Sequence, residues 1–303
     1  MQNQTLRGIV YLCLGVFVFS AQDAIIKQVS GAYALTQVVF IRSLVGVPIL
    51  FAIVWREAGW QSMLSGGLGP LSLRAIIMLG AYTAYYMAFP ALPLADAVAL
   101  YFTVPLFMTA LAGPVLGERS GWKVWAAVLL GFSGVLVMLQ PGRGLFEPAA
   151  LLSLLAAALY GIAMLMARKM GVALSASVMA FSQHAVFLLG SAAGALVLML
   201  LGLQDASHPS LKFLVRPWTM PTLADTLLIA SCGVVAAVGT LLLTNAYRVA
   251  RTSAVTPFEY TGMLWAPLWG FLFFAETPKL STLAGAATIG VAGLLAMQQA
   301  RRP

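Results

Sequence analysis

Six windows of this chain, 75–95, 97–117, 124–142, 148–167, 226–247 and 280–300, contain no Asp, Glu, Lys or Arg and are dominated by apolar residues. A bilayer's hydrocarbon core, about 30 Å thick, takes roughly 20 such residues to cross as a helix. Only structures that satisfy their own backbone hydrogen bonds survive there, so uninterrupted stretches of this length read as membrane helices. Four further windows are interrupted: 8–28 carries Asp23 near its end, with Lys27 after it, 28–55 carries Arg42, 170–204 His184 and 252–275 Glu259. Together they predict an all-α integral membrane protein of ten transmembrane helices. Composition agrees, since 9% of the residues are charged, where a soluble domain carries about a quarter.

Short cytoplasmic loops hold an excess of Lys and Arg. With the N-terminus inside, eleven of the seventeen cationic residues fall on the cytoplasmic side, Arg74, Arg168, Lys169, Arg248 and Arg251 among them. Lys27, Arg143, Lys212, Arg216 and Lys279 fall outside, and Arg42 lies within its segment. The sequence therefore predicts both termini in the cytoplasm. The basic balance is explained by topology and calls for no nucleic-acid partner. Residues 7–24 have the outline of a cleaved signal peptide, but the internal repeat assigns them to a working helix. Cys13 and Cys232 fall inside apolar windows with no CxxC spacing, which suggests neither a disulfide nor a metal site.

"GFSGVLVMLQ" at 131–140 returns as "GVAGLLAMQQ" at 290–299, matching Gly131, Gly134, Leu136, Met138 and Gln140 after 159 positions. At an offset of 158, Ala88, Thr103, Leu106 and Glu118 fall on Ala246, Thr261, Leu264 and Glu276. Nearer the N-terminus the offset is 142, placing Lys27 on Lys169 and Arg42 on His184, and the difference fits a longer loop around 202–222. The division is into 1–142 and 143–303, five helices each. Because five is odd, the second unit enters from the opposite side, giving inverted repeats whose interface lies near the midplane.

"SAQDAIIK", "QVVFIRSLVG" and "LPLADAVALYFTVPLFMTALAGPVLGERSGWK" before a Gly-rich fifth segment resemble the EamA-type branch of the drug/metabolite transporter superfamily. The resemblance covers nearly the whole chain, and within the branch it is similar to bacterial inner-membrane exporters of aromatic and other amino acids. It implies a basket in which helices 1–4 and 6–9 surround a central cavity while 5 and 10 lie outside. It also implies export from the bacterial cell, with no cofactor.

Ionisable groups inside a membrane are costly and usually face a cavity or a partner. Glu259 either lines the cavity or pairs with Arg248 or Arg251. Arg42 either draws in a carboxylate or locks the first two helices by pairing with Asp23 or helix-end carbonyls. His184 either protonates during transport or serves as a neutral hydrogen-bonding partner. Met78, Tyr82, Tyr85 and Phe89 share one helical face, with Tyr86 alongside. Tyr101, Tyr160, Tyr260 and Trp265 recur on helices that the resemblance puts around the cavity, so these rings are candidates for stacking on a flat or apolar cargo. Met263 and Asn245 complete the candidate binding set; Trp265 also suits a membrane interface. Pro105, Pro257 and Pro267 are candidate hinges, although packed membrane helices also tolerate proline. Gly131, Gly134, Gly290 and Gly293 permit close helix contact without forming GxxxG, so a monomer is the default expectation.

No HExxH or GxSxG is present and the histidines are only His184 and His208, so an intramembrane enzyme lacks its parts. No filter-like segment suggests a channel, and no P-loop suggests an ATP-driven pump. The expectation is an alternating-access exporter of neutral, chiefly aromatic amino acids, with hydrophobic cations as the alternative cargo.

Overall fold

The computed structural model describes residues 2–59, 61–62, 68–116, 122–139, 147–170, 174–250 and 255–300. In chain order the helices are α1 (Gln2–Val29), α2 (Leu35–Ala58), α3 (Leu68–Ala88), α4 (Leu94–Tyr101), α5 (Val104–Leu116), α6 (Trp122–Leu139) and α7 (Ala149–Met170). They continue with α8 (Ala176–Leu200), α9 (Pro209–Val215), α10 (Leu223–Val249), a 3₁₀ turn (Thr256–Thr261), α11 (Gly262–Phe274) and α12 (Leu280–Ala300). Among the described residues six spans are long and apolar enough to cross a membrane: Gln4–Val29, Leu35–Glu57, Leu94–Leu116, Ala149–Met170, Ala176–Leu200 and Leu223–Val249. Their outward faces carry bare apolar side chains such as Leu189 and Leu200, and α11 likewise exposes Phe271 and Phe273, as a lipid solvent requires.

Local chemistry sets several boundaries. Ser175 caps α8 by accepting from the Val178 amide, and Thr222 caps α10 by accepting from the Asp225 amide. The window predicted as 97–117 is two helices, broken at Phe102 and Thr103. Proline cannot follow the carbonyl four residues earlier within a regular helix. For Pro105 that carbonyl belongs to Tyr101, the last residue of α4. In the second half the irregular turn containing Pro257 leads into α11, which holds Pro267 in its interior. The loop predicted around 202–222 contains the short helix α9.

Helix pairs carry the packing: α1 lies along α10, α3 along α7, α2 along α8 and α6 along α12. Gly134 makes the last pair possible, because a Cβ there would stand 2.8 Å from the Gly285 carbonyl oxygen. This glycine therefore serves a contact inside the chain.

Arg74 departs from its predicted place in a cytoplasmic loop. It lies in the second turn of α3 and is fully buried, with Nε donating to the Ala163 carbonyl at 3.2 Å and Nη1 to that of Met179 at 3.4 Å. A hydropathy window stops at a charge, whereas a long side chain can satisfy its head on neighbouring carbonyls and let the helix continue.

Candidate functional site

A narrow cavity runs between α1, α3, α4, α7, α10, the 3₁₀ turn and α11. Its described polar lining is Ser20, Asp23, Tyr82, Tyr85, Tyr86, Tyr101, Tyr160 and Glu259, and Val16, Phe19, Val98, Phe102 and Leu243 supply the apolar remainder. Two carboxylates and five phenols thus face one space with no Arg, Lys or His among the described lining residues.

The tyrosines form a continuous wall. Tyr82, Tyr85 and Tyr86 come from successive positions and the next turn of α3; the Tyr85 ring centroid lies 4.5 Å from that of Tyr101, which lies 5.6 Å from that of Tyr160. Each end of this wall holds a carboxylate. At one end Tyr85 Oη donates to Asp23 Oδ2 at 2.9 Å. At the other, Glu259 Oε1 accepts from Tyr247 Oη at 2.5 Å and from Tyr160 Oη at 3.4 Å. Tyr247, fully buried on α10, had no signal in the sequence beyond being an aromatic residue in an apolar window. Of the two cations that could have paired with Glu259, Arg248 donates instead to the Leu174 carbonyl at 3.1 Å, and Arg251 lies outside the described residues.

Arg42 lies behind this wall. Its guanidinium stands over the Tyr82 ring at 4.9 Å and over Phe187 at 5.6 Å. With the Gln22 amide oxygen turned to its two donors, it accepts from Arg42 Nη1 at 3.0 Å and Tyr86 Oη at 2.6 Å, while the amide nitrogen donates to the Cys232 carbonyl at 3.0 Å. Arg42 thus ties α2 to α1 through the residue next to Asp23. No ion pair joins it directly to Asp23.

His184 is buried on α8, its Nδ1 3.1 Å from the Ala180 carbonyl and its ring stacked on Phe187. Gly46 leaves the space it occupies. Neither α2 nor α8 contributes a described lining residue, so Arg42 and His184 stand off this cavity. Asn245 is half-buried outside the lining, and Trp265 packs edge-on against Phe17 at 4.8 Å. The side chains of Tyr260, Met263, Pro105 and Pro257 lie outside the described ones.

One end of the cavity is tied shut. Lys27 Nζ lies 2.8 Å from Glu276 Oε1 and donates to the Leu92 carbonyl at 2.8 Å, while Glu276 Oε2 accepts from the Leu94 amide at 2.8 Å. Three segments, the end of α1, the 89–94 link and the end of α11, meet there, with Leu94 and Phe102 below on the wall. Among the described residues no group of three or more His, Cys, Asp and Glu stands together to hold a metal.

A multi-pass helical membrane protein with a mostly apolar cavity among its helices, carrying two carboxylates and five phenols, is built to pass a solute across the bilayer. Comparison with known proteins agrees. Residues 6–140 match the EamA-like transporter family. The chain is 30% identical over 230 residues to a riboflavin transporter of Rhizobium johnstonii, covering 76% of this chain and 70% of that one. It is 28% identical over 287 residues to the pseudopaline exporter CntI of Pseudomonas aeruginosa, covering 94% of each. It is 23% identical over 284 residues to an S-adenosylmethionine uptake transporter of Rickettsia prowazekii, covering 94% of this chain and 90% of that one. A solved crystal structure with 17% identity superposes with a TM-score of 0.68, over 100% of this chain and 99% of that one, and shows the same fold. The chain belongs to the EamA-like transporter family, in the drug/metabolite transporter superfamily, and is a membrane transporter.

Proposed function

We propose that this chain is an alternating-access secondary transporter in a bacterial inner membrane, exporting small metabolites that join a flat or apolar body to a positively charged group. One observation carries the choice of cargo: the described lining holds Asp23 and Glu259 and no cation. A carboxylate whose neighbours in the lining are phenols rather than cations attracts a positively charged cargo. The tyrosine wall adds ring faces that attract cations and stack on flat groups. Amino acids belong to this class through their ammonium group, with the phenol hydroxyls as donors to their carboxylate.

Ten spans in two inverted units, 1–142 and 143–303, supply the moving parts. Two features support this reading. The contact of α1 with α10 and that of α3 with α7 are exchanged when each half is mapped on the other, while the α2–α8 and α6–α12 contacts map onto themselves. In addition, α5 begins at Val104 and α11 at Gly262, 158 positions apart, the offset of the sequence repeat. The unit works as a monomer surrounded by lipid, with both termini in the cytoplasm.

The test is counterflow into proteoliposomes of labelled phenyltrimethylammonium, a ring with a fixed positive charge. Unlabelled phenylalanine should compete, and phenylpropanoate, which keeps the ring and carboxylate but lacks the ammonium, should not. Counterflow of an anion with exclusion of the cation would sink the proposal.

A further inference from the structure

Two carboxylates share the cavity, and the described residues place only one cation in close register with either. Arg42 bonds Gln22, the neighbour of Asp23, and stacks under Tyr82. Around Asp23 the other titratable groups are Tyr85 and Tyr86 from α3, Tyr82 beside them, and Cys232 from α10. Around Glu259 they are Tyr247 from α10, Tyr160 from α7, Tyr101 from α4 and Cys13 from α1. Every one of the latter is neutral at ordinary pH. Of the described cations on that side, Arg74 donates to the carbonyls of Ala163 and Met179, and Arg248, next to Tyr247 on α10, donates to that of Leu174. Glu259 is therefore held by phenol donors on one oxygen and balanced by no positive charge among the described residues.

From this asymmetry, and resting on the cationic cargo proposed above, we infer that the two carboxylates divide the work: Asp23 binds the positive group of the cargo, and Glu259 carries a proton that is exchanged for it. In the empty cavity Arg42 balances Asp23, and Glu259 is the neutral acid. When a monovalent cation settles at Asp23, Glu259 releases its proton to the water on the side to which the cavity is then open. The carboxylate left behind offsets the charge that arrived. One proton leaves for each cation bound, so the charge buried in the cavity is unchanged and the exchange is electroneutral. The wall of Tyr85, Tyr101 and Tyr160 links the two sites without letting either carboxylate bond the other's partner.

The experiment uses the full chain in proteoliposomes, with labelled phenyltrimethylammonium outside and the membrane potential clamped at zero by potassium and valinomycin. An acid interior one pH unit below the exterior should drive accumulation toward about tenfold, the limit for one-for-one exchange. Imposing a potential without a pH gradient should drive none. E259Q should show slower counterflow but, normalised to that rate, no accumulation from the pH gradient; E259D, which keeps a titratable group, should recover it. D23N should lose counterflow and accumulation together while unfolding at the wild-type temperature in detergent. Gradient-driven accumulation that survives in E259Q overturns the assignment. So does a wild type that exchanges the cation but responds to potential and not to pH, and in that case the cargo proposal stands. A wild type that does not move the cation at all defeats the cargo proposal, and this one with it.

Discussion

Tyr82 has Arg42 on one side and the cavity on the other, so its ring both offers a face to cargo and screens the guanidinium from it. Tyr82→Ala should weaken binding of phenyltrimethylammonium by roughly 2- to 30-fold, the range of an aromatic–cation contact of about 0.5–2 kcal/mol. It should also make phenylpropanoate an effective competitor, because Arg42 would then face the cavity. Competition binding to the purified protein measures both, and unchanged selectivity would show that the ring is not a screen. Helical spacing was enough to find this residue, since Met78, Tyr82, Tyr85 and Phe89 recur on one face. Glu259 was equally legible as a lone charge in an apolar run, yet its partners were not. Spacing along the chain indicated nearby arginines, whereas the bonds come from Tyr247 and Tyr160, chosen by how α7 and α10 pack around the turn. Asp23 falls near the end of the 8–28 window, and α1, ending at Val29, carries it and Lys27 into the fold.

At the level of elements, the meeting of α1, the 89–94 link and α11 holds one end of the cavity closed. The Lys27 and Glu276 side chains are only 12% and 24% exposed, so this pair keeps more of its strength than a surface ion pair would. With its two backbone hydrogen bonds it should be worth about 1–2 kcal/mol, roughly 5- to 30-fold in an opening equilibrium. Lys27→Met should raise the rate at which an impermeant maleimide labels a cysteine placed at Val98, on a background with Cys13 and Cys232 replaced by alanine. An unchanged rate would mean that apolar packing alone keeps this end shut. The close approach of α6 to α12 gives a second expectation. Gly134→Leu would drive a side chain into the Gly285 carbonyl and the Ile289 side chain, and such overpacking costs about 1–3 kcal/mol. Lower thermal stability in detergent would register it. The repeated glycines pointed to close helix contact in the sequence; they could not say which helix, because small residues fit any neighbour. Proline was informative in a similar partial way: the chain breaks before Pro105, at the carbonyl the ring would strike, and Pro267 sits within a continuous helix.

For the whole molecule, the direction of transport depends on which side of the membrane each end faces. α8 has 25 residues, which at about 1.5 Å each reach ~37 Å and exceed a hydrocarbon core of about 30 Å. Lys169, at the end of α7, and Asp205, beyond α8, are both exposed and must then lie on opposite sides. The positive-inside bias puts Lys169 in the cytoplasm, although Arg74, one of the cations on which that bias drew, turned out to be buried among helices. On the cysteine-free background, Asp205→Cys should react with an impermeant maleimide in intact cells, and Lys169→Cys only after the membrane is opened. The reverse pattern would invert the orientation, and the Lys27–Glu276 contact would then close the cytoplasmic end of the path. Reaction of both in intact cells would remove α8 from the set of spans, and with it the odd number of crossings per half on which inverted repeats depend. Hydropathy alone could establish that this helix is long enough; only the side of each cysteine tests whether the two halves face opposite ways.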